Sequence, residues 1–224
     1  MKYPDESNLR FPRDHESSPR LYYSKLLGPF YRRKLEMLCD CLPRERVPHI
    51  LEIGFGSGIA LKELAGRSEK VTAIDVHPHQ AAVEEMLRRE AVANVRLRTH
   101  DIFERPFENG ALFDCALSSS VFEHIPPAKL ETGVGNISRS LKEGGSLLVG
   151  FPLKNGLMNA VFGMYERFYK PFRRDIYDFS GERDHPSGQG EIIPALAQHF
   201  EILEKKYFIH DWLPLYLVLK CRKR

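Results

Sequence analysis

The chain lacks the features that mark membrane-spanning, secreted and highly basic proteins. No apolar run approaches the ~20 residues that a bilayer-spanning helix needs, and the first eight residues are polar and of mixed charge, unlike a secretory signal. The formal net charge is only +3, which does not by itself indicate nucleic-acid binding. With 42% hydrophobic residues, the composition is that of an ordinary globular protein, and we expect a cytoplasmic one.

Cysteine is scarce, and its spacing does not favour metal binding. Cys39 and Cys41 form a Cys-x-Cys pair, but no second Cys or His pair follows at the spacing of a zinc finger. Cys115 falls within an apolar run, where cysteine behaves as a small hydrophobic residue. Cys221 completes the set of four. We therefore expect four reduced thiols and no metal site.

Strand-like apolar runs alternate with helix-like periodicity along most of the chain. This alternation predicts parallel strands joined by right-handed helical crossovers. Four of the five runs are almost continuously apolar, as expected for strands that are covered on both faces. The predicted strands are 49–53, 71–76, 94–99, 113–119 and 145–151, and the predicted helices are 58–66, 78–91 and 127–141.

The N-terminal region has a pattern of its own. Residues 1–18 are rich in Pro, Ser and charged residues and predict a loose arm. Residues 19–42 show leucines at helical spacing, with the Arg-Arg-Lys run at 32–34 on the other side. Gly28-Pro29 should break this region into two helices. We expect residues 19–42 to form a lid over a core at 49–152.

The C-terminal region departs from the alternating pattern. Residues 153–190 form an insertion, in which 157–170 is amphipathic and predicts a helix packed over the core, or a surface helix that contacts a membrane. A short helix at 192–200 then precedes two strands, 201–210 and 213–222, joined as an antiparallel hairpin. At 224 residues the chain has the length of one domain.

A glycine-dense turn follows the first predicted strand. Gly-Phe-Gly-Ser-Gly at 54–58 lies between that strand and the next helix. Glycine lets the backbone turn sharply and approach a ligand closely, and the helix points its free N–H groups at the same place. The second strand ends with an acid, Asp75. A glycine turn with a downstream strand-terminal carboxylate predicts a nucleoside-binding crevice.

The glycine spacing separates two classes of nucleoside. A dinucleotide fingerprint would place its third glycine at position 59, which is Ile59. The pattern is instead Gly-x-Gly-x-Gly, with Glu52 two residues upstream. This combination resembles the class I S-adenosylmethionine-dependent methyltransferases, and in particular their small-molecule, type 11/12-like branch. The resemblance continues through His-Asp-Ile at 100–102, Glu-His at 123–124 and the turn at 141–145.

The resemblance implies a fold, a cofactor and a set of cofactor contacts. The implied fold is a doubly wound α/β sheet of seven strands, mostly parallel with an antiparallel C-terminal strand and helices on both faces. The implied cofactor is S-adenosylmethionine, with S-adenosylhomocysteine as product. The implied cofactor-binding residues are Glu52, Gly54, Phe55, Gly56, Gly58, Asp75, Val76, Asp101, Ile102, Ser118 and Ser119.

Several of these residues have a specific role in the family. By resemblance, Glu52 lies beside the methionine end, and Asp75 accepts both ribose hydroxyls. Asp101 would accept the exocyclic amine of adenine and Ile102 would pack on the ring, although Asp101 is equally consistent with a helix cap. Ser118 and Ser119 would contact the cofactor through their backbone.

The acceptor side is less well marked. His124, after the fourth strand, is our candidate general base, because a histidine suits proton transfer near neutral pH. His185 is a second candidate on the substrate side, and a hydrogen-bonded structural role is the alternative for both. Tyr22 and Tyr23, in the predicted lid, would face the substrate.

The segment after the fourth strand narrows the acceptor by what it lacks. Nucleic-acid amino-methyltransferases carry Asn or Asp before Pro-Pro and an aromatic residue there, and cytosine carbon-5 enzymes carry Pro-Cys. The chain has Ser-Ser-Ser-Val at 118–121. We therefore expect methyl transfer to an oxygen or nitrogen atom of a small or lipid-like acceptor. The rival hypotheses are a nicotinamide-dependent oxidoreductase, which Ile59 argues against, a non-catalytic cofactor-binding protein and an RNA methyltransferase.

Overall fold

The computed structural model describes residues 1–11, 17–25, 27–107, 110, 112–154, 167, 185–210 and 213–224, in which seven strands form one sheet. The strands in chain order are β1 (Val47–Ile53), β2 (Ser68–Asp75), β3 (Val95–Thr99), β4 (Phe113–Ser119), β5 (Leu141–Pro152), β6 (Phe200–His210) and β7 (Leu213–Lys223). Their order across the sheet is β3-β2-β1-β4-β5-β7-β6.

The direction of the strands follows the predicted pattern. Strands β1 to β5 pair in parallel, whereas β7 pairs antiparallel with both β5 and β6. The predicted doubly wound α/β fold with an antiparallel C-terminal strand is therefore confirmed. Strand β5 begins four residues before the predicted start, because Leu141 already pairs with Phe113 ahead of a register shift. Such a bulge extends pairing through a turn that sequence periodicity alone would end.

Helices cover both faces of the sheet. In chain order they are α1 (Ser17–Tyr23), α2 (Gly28–Cys39), α3 (Leu61–Arg67), α4 (Gln80–Arg89), α5 (Pro127–Ser140) and α6 (Gln189–His199). The predicted break between two N-terminal helices is confirmed, since α2 begins at Gly28 with Pro29 in its first turn. Proline is tolerated there because the first turn has no intrahelical acceptor for its missing N–H.

Two hydrophobic clusters fill the spaces between helices and sheet. One cluster joins the sheet to α2, α3 and α4 and includes Leu38, Leu61 and Met86, each fully buried. The other joins the opposite face to α5 and α6 through residues such as Val134 and Leu196. The continuous apolar runs of the parallel strands thus face protein on both sides, as such strands must.

The first eleven residues are held against the helices, so the expected loose arm is wrong for residues 1–11. The Phe11 side chain is 6% exposed and belongs to the hydrophobic cluster beside α2. The Tyr3 hydroxyl donates to the Arg32 carbonyl oxygen at 3.1 Å. The Asp5 backbone N–H donates to Glu90 Oε1 at 2.7 Å. Two aromatic anchors and the backbone donors outweigh the polar composition from which the arm was predicted.

The predicted amphipathic helix at 157–170 and the loop after it lie largely outside the described residues. Within the parts of the chain that the structure describes, no helix combines the length and the hydropathy of a membrane span.

Two glycines in helices give a matched test of the packing. A Cβ at Gly133, in α5, would lie 2.1 Å from Phe103 Cδ1, whereas a Cβ at Gly66, in α3, would have no atom within 4 Å. We expect Gly133→Ala to lower the free energy of unfolding by about 1–3 kcal/mol through overpacking. Gly66→Ala should instead raise it by about 0.5–1 kcal/mol. Urea denaturation of both variants measures this, and equal effects would contradict the packing described.

Candidate active site

A cavity of about 360 Å³ opens at the carboxyl ends of the central strands. It lies where β1 is flanked by β2 on one side and β4 on the other, which is the topological switch point of the sheet. Ligands of open α/β sheets bind at this point, because the connections diverge there and leave a crevice. The lining combines strand ends, the glycine turn and the first two helices: Glu52, Gly54, Phe55, Gly56, Asp75, Ser119, Ser120, His124, Tyr22, Tyr31 and Lys34.

The glycine turn at 54–58 requires glycine for two different reasons. Gly54, Gly56 and Gly58 all have positive φ, at 77°, 50° and 74°. A Cβ at Gly54 would lie 2.2 Å from Val121 Cγ2, and one at Gly58 would lie 2.7 Å from Val83 Cγ1, so both positions also pack tightly. A Cβ at Gly56 would meet nothing within 4 Å. Gly56 therefore leaves its backbone accessible on the cavity side.

Asp75 connects the glycine turn to the end of β2. Its Oδ2 accepts from the Gly56 backbone N–H at 2.8 Å, and its Oδ1 accepts from the N–H groups of Val76 and His77 at 2.7 and 3.2 Å. His77 Nε2 lies 2.8 Å from the Gly56 carbonyl oxygen. Each carboxylate oxygen can accept two hydrogen bonds, so Oδ1 is fully used and Oδ2 keeps one acceptor site for a ligand, one fewer than the two ribose hydroxyls of the prediction require. The sequence analysis missed His77, whose role depends on the folded turn.

Glu52 is a buried acid in the cavity wall. Its side chain is in a residue only 4% exposed, and its Oε2 has no hydrogen-bond partner among the described residues. Burial, and then the negative charge of Asp75, raise the pKa of Glu52 to about 8. A cationic group of a ligand in the cavity would favour the ionised form of this carboxyl group.

The first two helices cover the cavity with aromatic and basic side chains. Tyr22 and Tyr31 line it with their rings 5.7 Å apart in an edge-to-face arrangement. Lys34 Nζ lies 4.3 Å from the ring centroid of Tyr31 and 4.8 Å from that of Tyr216. The prediction that Lys34 faces away with its basic neighbours is therefore wrong. Lys34 lies four residues after Phe30 and four before Leu38 in α2, so the three side chains share one face of the helix.

Tyr23 points elsewhere, and its predicted substrate role is wrong for this structure. Its hydroxyl donates to the Pro4 carbonyl oxygen at 2.5 Å, and the residue does not line the cavity. Burial raises the pKa of Tyr23 to about 12. Tyr22 and Tyr23 are adjacent on one helix and so point about 100° apart, which brings only Tyr22 to the cavity. Tyr23 instead holds the N-terminal segment.

The three serines at the carboxyl end of β4 differ in their environment. Ser118 is fully buried and its Oγ donates to the Ile53 carbonyl oxygen at 3.3 Å, away from the cavity lining. Ser119 and Ser120 line the cavity, and their hydroxyls lie 3.3 and 3.2 Å from the Tyr216 hydroxyl. Burial raises the pKa of Tyr216 well above its usual value. Sequence reasoning missed Ser120 and Tyr216, because β7 reaches this point only through its pairing with β5.

The residues predicted for adenine are arranged differently from the expectation. Ile102 is 1% exposed and packs in the hydrophobic cluster under α5, so the prediction that it covers the ring is wrong for this structure. Asp101 lies outside the cavity lining, and its Oδ1 accepts from the Phe103 N–H at 2.9 Å in a turn after β3. No helix begins there among the described residues, so the helix-cap alternative is wrong and the adenine role stays a prediction. Val76 is 66% exposed. An exposed apolar side chain next to Asp75 offers a surface on which an aromatic base can pack.

His124 and His185 meet on the far side of the cavity. His124 is exposed, lies in the short 3₁₀ helix Phe122–His124 and lines the cavity. His185 is 7% exposed, and the centroids of the two imidazole rings are 4.6 Å apart. Glu123, which is 2% exposed, completes the cluster with its carboxylate. One potential ligand atom of each of the three residues lies within 4.8 Å of the other two.

The sequence matches a known family over its central part. Residues 50–145 match the family model described as a methyltransferase domain. A stretch of 129 residues is 32% identical to part of a probable non-canonical nonribosomal peptide synthetase, CymA, from Salinispora arenicola. This stretch is 54% of the chain but only 2% of that protein, so the chain spans a very small part of the length of this relative.

Solved structures share the fold along almost the whole chain. The N-methyltransferase NodS from Bradyrhizobium japonicum, in complex with S-adenosylhomocysteine, has a TM-score of 0.65 at 19% identity and covers 95% of this chain and 99% of its own. The PH0226 protein from Pyrococcus horikoshii has a TM-score of 0.67 at 15% identity, covering 96% and 100%. The [4+2]-cyclase SpnF has 0.65 at 17%, covering 88% and 82%. These TM-scores show that the chains share a fold.

The buried Glu52 predicts a pH-dependent stability difference. The carboxyl group ionises in the unfolded chain near pH 4.5 but keeps its proton in the folded protein up to about pH 8. The unfolded state therefore binds fewer protons in this window, so wild-type stability falls as pH rises through it. The advantage of Glu52→Gln should grow by up to ~1.4 kcal/mol per pH unit and level off above pH 8.

Chemical denaturation from pH 4.5 to 9 measures this difference. Glu84→Gln, on the exposed side of α4, controls for the loss of one acid at the surface. A constant difference between Glu52→Gln and wild type across the whole range would contradict the assignment of a protonated Glu52.

Proposed function

We propose that the chain is a class I S-adenosylmethionine-dependent methyltransferase that methylates an oxygen or nitrogen atom of a small or amphiphilic acceptor. The observation that carries the proposal is the single cavity that Glu52, Gly56, Asp75 and His124 share. The first three are in the positions of the family's cofactor motif, and the fourth is a titratable group on the side where an acceptor would enter. A cytoplasmic location stays a prediction from the sequence.

The cofactor is S-adenosylmethionine, and the cavity offers a partner for each of its charged or polar parts. Asp75 is already oriented by three backbone N–H groups and would accept a ribose hydroxyl at Oδ2. Glu52 would face the α-ammonium group of the methionine end, where a positive charge would stabilise its ionised form. Lys34, on the covering helix α2, would place its positive charge near the α-carboxylate of the methionine end. Val76 would pack on the adenine ring.

The residues of the cavity would act mainly by positioning. When bound, the cofactor supplies a methyl group on a positively charged sulfur, which leaves as the neutral thioether of S-adenosylhomocysteine. Correct alignment of two reactants can be worth ~7–11 kcal/mol. The aromatic cover of Tyr22 and Tyr31 and the hydroxyls of Ser119 and Ser120 would hold an acceptor in line with that methyl group. His124 would accept the proton that the acceptor loses.

The acceptor is proposed from the lining and from what the sequence lacks. The described lining mixes aromatic rings with hydroxyl groups and has room for a small molecule. The amphiphilic or lipid-like alternative comes from the predicted helix at 157–170, which lies outside the described residues. The match to a methyltransferase domain argues against the alternative of a nicotinamide-dependent oxidoreductase. A non-catalytic cofactor-binding protein remains the rival that an activity assay separates.

Asp75 provides the first test of the proposed cofactor site. We expect Asp75→Ala to weaken S-adenosylhomocysteine binding at least about 10-fold, since one hydrogen bond to a charged acceptor is worth ~1.5–3 kcal/mol. Asp114→Asn is the matched control, because Asp114 lies near the start of β4, at the opposite end of the sheet, and binds the His49 N–H and Lys142. Calorimetric titration measures both, and undiminished binding by Asp75→Ala would reject the assignment.

His124 provides the test of proton transfer. His124→Ala should lower turnover by about 10²–10⁴-fold, the usual contribution of a general base, while S-adenosylhomocysteine affinity stays unchanged. Transfer of a labelled methyl group to acceptors in a cell lysate, followed by identification of the product, supplies the assay. Near-normal turnover in the variant would remove His124 from the mechanism.

A further inference from the structure

Three potential metal ligands meet at the acceptor side of the cavity, although the sequence analysis expected no metal site. They are the Glu123 carboxylate and the imidazoles of His124 and His185, with one ligand atom of each within 4.8 Å of the other two. We propose that these residues bind one divalent transition-metal ion, such as Zn²⁺ or Co²⁺, which in turn binds a hydroxyl group of the acceptor. The binding of the ion is independent of the proposed function, whereas its catalytic role rests on that function.

The ligand atoms are near enough for one ion after a modest closing of the cluster. Zinc binds imidazole nitrogen at ~2.0–2.1 Å and carboxylate oxygen at ~2.0–2.2 Å. In a tetrahedral site two ligand atoms around one ion lie about 3.4 Å apart. The cluster therefore needs to contract by about 1.4 Å from its widest separation. Because His124 is exposed, its side chain can move toward an ion without disturbing the core.

The juxtaposition is built into the backbone. His185 is far from His124 in the sequence, but the segment that carries it is bound to the 3₁₀ helix by two hydrogen bonds. The Ser187 N–H donates to the Glu123 carbonyl oxygen at 3.2 Å, and the Ser187 hydroxyl donates to the Ile125 carbonyl oxygen at 2.6 Å. These contacts hold His185 beside Glu123.

Burial also favours a cationic occupant. Glu123 and His185 are 2% and 7% exposed. A buried carboxylate is costly unless it is paired with positive charge or coordinates a metal. A protonated histidine could supply that charge, which gives an ion pair as the competing explanation. An ion bound by all three residues neutralises the carboxylate and also uses both imidazoles, including the exposed one.

The ligand set selects the kind of ion and its coordination. Two imidazoles and one carboxylate suit zinc, iron or cobalt, whereas magnesium and calcium prefer oxygen ligands. Three protein ligands leave a tetrahedral ion with one open position, which is the arrangement of catalytic zinc sites. Since His124 lines the cavity, we place that open position on the acceptor side.

An ion at this site would narrow the acceptor to a hydroxyl compound. Binding of the hydroxyl oxygen to the ion lowers its pKa, and the proton passes to solvent. The oxygen then forms a bond to the methyl carbon while the carbon–sulfur bond breaks, and the electron pair of that bond remains on sulfur. A bound amine could not react in this way, because the ion would occupy its lone pair. On this assignment His124 is a metal ligand, and the ion replaces it in activating the acceptor.

The metal site is tested on the full chain after dialysis against a chelator. Absorption titration with Co²⁺ and calorimetric titration with Zn²⁺ should each show one ion per chain. Glu123→Gln, His124→Gln and His185→Gln should each weaken binding at least about 10-fold, the smallest loss seen even when an outer partner of a metal site is removed. His199→Gln, at the far end of α6 from this cluster, should bind like wild type.

Two results would overturn the site. If the wild-type protein binds neither ion, the three residues form a Glu–His ion pair only. If all three variants bind an ion as well as the wild type does, the ion is an adventitious ion only. Circular dichroism confirms folding, and His124→Gln carries the test if a buried variant does not fold. Full turnover in the presence of chelator would overturn the catalytic role. Titration of the same samples with S-adenosylhomocysteine shows separately whether the proposed function fails.

Discussion

The pairing of β1 with β2 on one side and β4 on the other determines where the functional side chains meet. These three strands are parallel, so their carboxyl ends lie on the same edge of the sheet. Glu52, Asp75 and Ser119 therefore reach one cavity although they are far apart in the sequence. The other elements act on this frame. Two helices cover it, and the segment before α6 brings a histidine to its far side.

The fold and the cofactor half of the site could be predicted because both depend on local patterns. Continuous apolar runs mark strands that are covered on both faces, and the alternation with helices limits how they connect. Glu52, the glycine turn and Asp75 occupy strand ends within one strand–helix–strand unit, where short spacing carries the geometry. The same reasoning located the antiparallel hairpin of β6 and β7, since its two runs are separated by a tight connection.

The residues that sequence reasoning missed depend on contacts between distant elements. Tyr216 reaches the end of β4 because β7 lies beside β5 and Gly150 leaves room for its hydroxyl, which lies 2.7 Å from the site of a Cβ there. Lys34 faces the cavity because α2 packs over the strand ends with the face that carries this side chain. Ile102 fails as a predicted contact for the converse reason, since α5 packs over it. Such outcomes require the tertiary arrangement, which local periodicity does not encode.

The N-terminal segment has a consequence for the order in which the protein folds. Its hydrogen bond from Asp5 to Glu90 joins residues 85 positions apart, and the Tyr23 hydroxyl binds this same segment at Pro4. Closing a loop of that length costs about 4 kcal/mol in chain entropy before any contact compensates it. Contacts of such high sequence separation form slowly. The cover of the cavity should therefore be completed only after α4 has packed on the sheet, so the strand ends would be assembled before they are enclosed.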